Sequence, residues 1–234
     1  MTDLLANPIW HSLSTLHSNL AQGNHLAKRY PQDIGPLSGI PKQSNECWDA
    51  LKRIIPSGDH CALFLTEPAN LGAGLTLVMQ FQIEQMVCES SRVVSSLEVK
   101  IEELGEADVT EMLALTTLTE PGPFQQRTIQ LGGYRGIRDR GRLVAMAGQR
   151  MALPGYREVS AVCTHPSYRG RGYAGALVRA VDGGITALGE IPYLHVRREN
   201  FSAIRLYRSL GYDTVRTLHC AIVTRPQAHN SPSK

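Results

Sequence analysis

The order of hydrophobic patterns along the 234 residues predicts an α/β (α+β) fold in two parts. Three observations carry this. Alternating apolar residues recur in three successive stretches, 134–138, 142–153 and 157–164, with Asp139-Arg140-Gly141 and Pro154-Gly155 turns between them, the mark of a meander. From 157 onward strand and helix patterns alternate as far as 223. Before 96 the same patterns occur in a shorter, less regular series, which predicts a smaller N-terminal α/β lobe. The expected division is 1–95 for that lobe, 96–226 for the larger domain and 227–234 for a polar tail.

In the lobe, Asn7-Pro8 opens a helix whose face is Ile9, Leu13, Leu16 and Leu20. A loop-rich stretch over 30–41 precedes a second helix carrying Trp48, Leu51, Ile54 and Ile55. Strands are expected over 61–66 and 75–88. In the larger domain a strand is expected over 97–101. Asp108 and Glu111 then read as a capping box for a helix to about 118, which Pro121-Gly122-Pro123 ends. A short helical segment over 128–131 leads into the meander. After it come a helix from about Gly172, a strand over 193–196, a helix over 201–210 capped by Asn200 and closed by Gly211, and a strand over 215–223.

The chemistry concentrates at the end of the meander, in Cys163-Thr164-His165-Pro166-Ser167-Tyr168-Arg169-Gly170-Arg171-Gly172-Tyr173-Ala174. Pro166 stops the strand. Tyr173, Leu177, Val178, Val181, Ile185 and Leu188 then repeat at helical spacing. The first turn of such a helix has unpaired N–H groups and the positive end of the helix dipole, which together make an anion site. Gly170 and Gly172 let a ligand approach the backbone, and Arg169 and Arg171 can fork onto phosphate oxygens. Alone, a glycine pair is equally an ordinary strand-to-helix turn. No Gly-x-x-x-x-Gly-Lys-Ser/Thr is present, which excludes a P-loop.

Arg169-Gly170-Arg171-Gly172-Tyr173-Ala174 resembles the Arg/Gln-x-x-Gly-x-Gly/Ala signature of the GNAT superfamily of acyl-CoA-dependent N-acyltransferases. Strand 193–196, Asn200, and Tyr207 followed by Gly211-Tyr212 resemble that family's second motif, in the right order and at the right separation. The likeness covers about 97–224. It implies a mixed, mostly antiparallel sheet with helices on both faces, and acetyl-CoA as acyl donor. It implies that backbone amides of Arg169, Gly170, Arg171, Gly172, Tyr173 and Ala174 hold the coenzyme A pyrophosphate. It further implies that Val162, Cys163 and Thr164 pair with the pantetheine arm, that Asn200 contacts the cofactor and that Tyr207 protonates the departing thiolate. By analogy with two-lobed relatives, the lobe is expected to be a GNAT-like half without cofactor residues.

Acyl transfer to an amine has two proton problems. Holding a lysine-like amine of pKa ~10.4 neutral at pH 7 costs roughly 4.6 kcal/mol, whereas an amino terminus of pKa ~7.8 needs only about 1 kcal/mol. A general base matters chiefly in the first case. Glu158, on the strand before the turn, is the candidate base; an exposed glutamate paired with an arginine is the competing reading. Asn200 also serves as a plain helix cap, and Tyr207 read locally is a half-buried aromatic. His195, on the strand between the two motifs, either faces the acceptor site or serves packing or hydrogen bonding, and is left out of the candidate set. Strand alternation groups Cys163 with Val159 and Ala161, as a small buried hydrophobe and not a nucleophile.

Composition narrows the remaining classes. With 42% hydrophobic and 19% charged residues, the chain can bury a core. It has no apolar run long enough to span a membrane and no signal-peptide pattern at its start. Five scattered cysteines form no Cys-x-x-Cys and make no zinc pattern with the eight histidines, so no metal is expected and free thiols in a cytoplasmic protein fit. Residues 1–95 hold 6 basic against 8 acidic side chains, and 96–234 hold 18 against 13. The basic excess falls where a polyanionic cofactor is expected. Arg135, Arg138, Arg140 and Arg142 have only Tyr134 to stack with them, so nucleic acid is disfavoured. The expected partner is a small-molecule or peptide amine, for a monomer or homodimer. A non-catalytic acyl-CoA sensor is the alternative, and it would need the cradle but not Tyr207.

Overall fold

The computed structural model describes residues 3–90 and 98–227. In chain order the elements are α1 (Pro8–Ser14), the short strands β1 (Gln22–Gly23), β2 (Lys28–Arg29) and β3 (Ser38–Gly39), α2 (Asn45–Ile54), β4 (His60–Leu65) and β5 (Thr76–Val87). There follow β6 (Glu102–Glu103), α3 (Val109–Thr119), β7 (Arg135–Asp139), β8 (Arg142–Leu153) and β9 (Tyr156–Thr164). The series ends with α4 (Tyr173–Thr186), β10 (Ile191–Arg197), α5 (Phe201–Leu210) and β11 (Asp213–Thr224). The strands β1, β2 and β3 make a small sheet of their own. The main sheet runs β4-β11-β5-β10-β9-β8-β7-β6, mostly antiparallel, with β10 parallel to β9. The expected mixed sheet with helices is thus present. Leu97 and the expected boundary at 95/96 lie outside the described residues; the described edge strand begins at Glu102.

The chain packs as two compact units. One takes the residues up to Pro31, Pro36–Gln82 and those from Leu218; the other takes Gln32–Gly35 and Ile83–Thr217. β5 and β11 each continue from one unit into the other. In the first unit, the Ser44 hydroxyl caps α2 by accepting from the Cys47 N–H, with Glu46 in the first turn and Lys52 and Arg53 in the last, as the dipole favours. The buried face of α2, Cys47, Trp48 and Leu51, packs with Leu63, Ala221 and Val223. The expected apolar face of α1 is cut short: the helix ends at Ser14, and Leu16 lies 47% exposed.

In the second unit the sheet buries both faces. Leu177, Val181 and Ile185 of α4 and Ile204, Tyr207 and Leu210 of α5 cover Val144, Val159, Leu194 and Val196. Met112 and Leu115 of α3 cover the other face with Leu143, Met146, Ala161 and Cys163. Val159 therefore faces the α4 side, while Ala161 and Cys163 face α3, against the expected common face. The reason is a β-bulge. Met146 pairs with Cys163 and Gly148 with Ser160, so Ala161 and Val162 together oppose Ala147. Ala161 takes the extra residue in a left-handed conformation, φ 53°, and the alternation of β9 slips by one. A second irregularity sets Arg150 and Met151 of β8 opposite Glu158.

The expected Asp108–Glu111 capping box does not form. The Asp108 carboxylate accepts from the Gly105 N–H at 2.8 Å, and Asp108 and Glu111 both take the guanidinium of Arg138. A charged, fork-shaped donor outcompetes a single backbone N–H. Part of the basic cluster is thereby neutralised, since Arg135 also pairs with Glu103 at 2.8 Å.

Behind α4, the buried carboxyl of Asp182 accepts a hydrogen bond from the Tyr212 hydroxyl. Burial raises its pKa from 3.8 to about 7, against the opposing pull of the Tyr212 bond and Arg179. A carboxyl raised in this way favours the fold most below its unfolded pKa, and that advantage is lost as the pH climbs through the folded value. Between about pH 4 and pH 7 the wild type should therefore lose stability relative to Asp182→Asn, with a slope of at most ~1.4 kcal/mol per pH unit. Thermal melts of both proteins across that range check this; parallel curves would rule out the raised pKa.

Candidate active site

The turn after β9 has the geometry of an anion cradle. α4 begins at Tyr173, and its N-cap, Gly172, sits at φ 79° and supplies no side-chain cap to the first-turn N–H groups. Gly170 has φ 77°, and a Cβ built there would meet nothing within 4 Å. The backbone here is open, and only glycine takes these angles without strain. The Arg171 guanidinium lies 4.7 Å from the Tyr168 ring centre, and the Tyr168 hydroxyl donates to Asp139 at 2.8 Å. Arg169, Gly170, Arg171 and Gly172 are exposed, as a site that meets a soluble phosphate requires. The polar, glycine-lined opening at a 14-residue helix fits a pyrophosphate.

The strand leading into the turn separates from its neighbour. β10 pairs with β9 only where Ile191, Pro192 and Tyr193 meet Tyr156, Arg157 and Glu158. From Val159 on, the two strands no longer share a ladder, and the bulge at Ala161 lies in the separated part of β9. Val162, Cys163 and Thr164 line this split, and the Thr164 hydroxyl is buried with no partner in the described structure. Facing strand edges with unpaired N–H and C=O groups suit an extended amide-bearing arm such as pantetheine. Cys163 is buried, and burial pushes its thiol up to about 11, so it is a poor nucleophile, as its packing suggested.

Glu158 stands at the apex of the split, fully buried. Its Oε2 accepts from Arg150 Nε at 2.7 Å and from the Met151 N–H at 3.3 Å. Its Oε1 accepts from Arg150 Nη2 at 2.6 Å and lies 2.7 Å from His195 Nδ1. Burial alone would raise its pKa. The charge and hydrogen bonds of Arg150, with those of His195, overcome burial and hold it down at about 2. With four lone-pair sites occupied and so low a pKa, this carboxylate is a poor proton acceptor at neutral pH. That argues against the expected role of direct base. The competing reading, a glutamate paired with an arginine, describes the contact, but the pair is buried and not exposed.

His195 belongs to this cluster, where it is hydrogen-bonded, one of the readings left open by the sequence. Burial lowers its pKa below 6.5 despite Glu158, so the ring is neutral at neutral pH. Its contact with Glu158 assigns the proton to Nδ1, which leaves Nε2 as an acceptor 3.0 Å from the Gln85 amide nitrogen. Leu194 and Val196 face α4 and α5, so His195 points to the α3 side, with Glu158. Only the parallel register of β9 and β10 and the second bulge bring Arg150, Glu158 and His195 together. A polar residue inside an apolar strand was the one sequence signal.

Tyr207 sits on the opposite side, among Leu177, Val196, Leu210 and Tyr212, only 8% exposed. Burial, and then the nearby Asp182, push its pKa well above 10, so the phenol keeps its proton throughout the neutral range. No hydrogen bond engages its hydroxyl among the described residues. Asn200 is the helix cap expected: its Oδ1 accepts from the Ala203 N–H at 3.2 Å, and its amide nitrogen stays available to a ligand. Among the described residues no three His, Cys, Asp or Glu side chains gather as a metal site requires, and no helix is long and apolar enough to cross a membrane.

A split between parallel strands, running into a glycine-rich helix N-terminus, is the arrangement that the family resemblance implies. Comparison with known proteins agrees. The FR47-like protein family matches residues 134–221. A crystal structure of a GNAT-family protein from Novosphingobium aromaticivorans is 37% identical, covers 97% of this chain and 100% of its own, and superposes with a TM-score of 0.90. The chain belongs to the GNAT family of acetyltransferases. A GCN5-related N-acetyltransferase from Kribbella flavida shares the fold at 17% identity, with a TM-score of 0.65 over 96% of this chain and 97% of its own. The N-alpha-acetyltransferase RimI of Mycobacterium tuberculosis is 39% identical over 85 residues, 35% of this chain. That match spans about half of the relative's length, 52%.

Two outcomes test this geometry. Gly172→Asp, which sets a charge and a Cβ at a left-handed position, should abolish coenzyme A binding in calorimetry; normal affinity would sink the cradle. Glu158→Gln should cost about 3 kcal/mol in urea unfolding, because Arg150 is left buried without its counter-charge.

Proposed function

We propose that this chain transfers an acetyl group from acetyl-CoA to a primary amine by direct attack, and that the amine is the α-amino group of a peptide. The observation that carries the reading is the buried apex cluster: a neutral His195 acceptor held by Glu158, whose carboxylate is fully engaged by Arg150 and His195.

Acetyl-CoA supplies the thioester when bound. The amides of Arg169 to Ala174 hold its phosphates, the edge of Val162 to Thr164 aligns its arm, and the Asn200 amide donates to it. The acceptor amine comes to the α3 side of the split, where His195 Nε2 takes its proton after releasing Gln85. Glu158 keeps the Nδ1 proton in place and favours the imidazolium as it forms. On the other side, Tyr207 Oη donates a hydrogen bond to the departing sulfur as its charge develops; full transfer to a thiolate of pKa about 8.5 is uphill, so the phenol stabilises the leaving group and solvent completes its protonation. A neutral imidazole is a weak base. It suits an amino terminus, already within about 1 kcal/mol of neutrality, better than a lysine at roughly 4.6 kcal/mol. The RimI likeness supports the same acceptor class.

Thiol release from acetyl-CoA over a panel of N-terminally free peptides, N-blocked lysine peptides and small amines tests this. Peptides with free amino termini should turn over fastest, and Tyr207→Phe should lower that turnover roughly 100-fold without weakening coenzyme A binding. Preference for lysine side chains would overturn the α-amine assignment. Tight cofactor binding with no acceptor turned over would favour the sensor.

A further inference from the structure

One polar atom near the apex has no work inside the chain. Tyr134, in the turn before β7, is only 3% exposed, and its hydroxyl is buried with no hydrogen-bond partner among the described residues. The ring is held firmly. It meets Phe124 edge to face with centres 5.5 Å apart and packs with Met146, Ala161 and Cys163 on the α3 side of the sheet. β8 makes room for it: a Cβ at Gly148 would come within 2.3 Å of the Tyr134 ring. Its phenol lies within electrostatic reach of Arg150, Glu158 and Cys163, beside the bulged stretch of β9 that its ring packs against. Burying a hydroxyl without a partner is unfavourable, whereas a phenylalanine would fill the same space at no such cost.

From this geometry we infer that Tyr134 is an acceptor-positioning residue, whose hydroxyl hydrogen-bonds the acceptor beside its reacting amine. The inference rests on the acetyl-transfer reading above and adds a specificity residue to it. Burial keeps the phenol protonated, so it can donate to a carbonyl next to the amine. Its place on the α3 side, with His195 and away from Tyr207, is the side the acceptor must enter if His195 takes its proton. The contact would fix the amine's direction of approach and leave the proton chemistry to other groups.

Two bisubstrate conjugates test it, each joining coenzyme A through an acetyl bridge to an alanine-initiated peptide, one at the α-amine and one at a lysine ε-amine of the N-blocked peptide. Calorimetry with wild type and Tyr134→Phe, alongside coenzyme A alone, separates the possibilities. The α-amine conjugate should bind Tyr134→Phe about 3- to 10-fold more weakly than wild type, the effect of one lost hydrogen bond, with coenzyme A affinity unchanged. The melting temperature should hold or rise. In turnover, KM for the peptide should rise more than kcat falls. If wild type prefers the lysine conjugate, the α-amine reading fails, and the same loss on that conjugate still supports Tyr134. Equal affinities of both proteins for both conjugates would mean that water satisfies the hydroxyl, and would overturn the proposal. So would a wild type that binds neither conjugate more tightly than coenzyme A.

Discussion

The pairing of β9 with β10 ends after Glu158 and Tyr193, and most of the site follows from that break. Two adjacent parallel strands would ordinarily continue their ladder, since each unpaired N–H or C=O away from water costs free energy. Here β9 carries an extra residue at Ala161, in a left-handed conformation that costs a non-glycine residue on the order of 1–2 kcal/mol. The bulge bends the strand, and the cleft it borders offers backbone edges to a ligand in place of a partner strand. The cleft then runs into a helix start that opens on glycines in left-handed conformations.

The same bulge sorts the chemistry by face. Before it, Val159 faces α4 and Glu158 faces α3; after it, Ala161 and Cys163 face α3. The alternation of β10, not this bulge, sets the imidazole of His195 on the α3 side, opposite the proton-bearing phenol of Tyr207. A donor and an acceptor in direct contact would exchange a proton with each other; kept apart, each can serve a different atom of the reaction. The ion pair of Arg150 with Glu158 makes this arrangement rigid. Its side chains are 11% and 0% exposed, so neither charge can be released without leaving the other stranded. A carboxylate so fully engaged orients a histidine well and accepts a proton poorly.

Much was legible in the chain itself, because it was local. Gly170 and Gly172 announce a turn open to a ligand, Asn200 a helix cap and Gly211 a helix end, and the alternating runs over 134–164 place the meander almost residue for residue. What failed was also local in appearance and non-local in cause. The Asp108 and Glu111 spacing was right for a capping box, but Arg138, from a strand far along the chain, took both carboxylates. The face of Cys163 was assigned by strict alternation, and the bulge reversed it.

The sequence alone determined the element order, the glycine turn proposed to hold an anion and the candidates Asn200 and Tyr207, since each depends on neighbours within a few residues. Only the tertiary structure decided which polar side chains meet. Gln85, Tyr134, Arg150, Glu158 and His195 come from four strands and the turn before β7, and nothing in their spacing predicts their convergence. It is the register of β5, β10, β9 and β8, with two bulges shifting it, that brings them to one apex, and a single slip in that register would send alternate side chains to the opposite face.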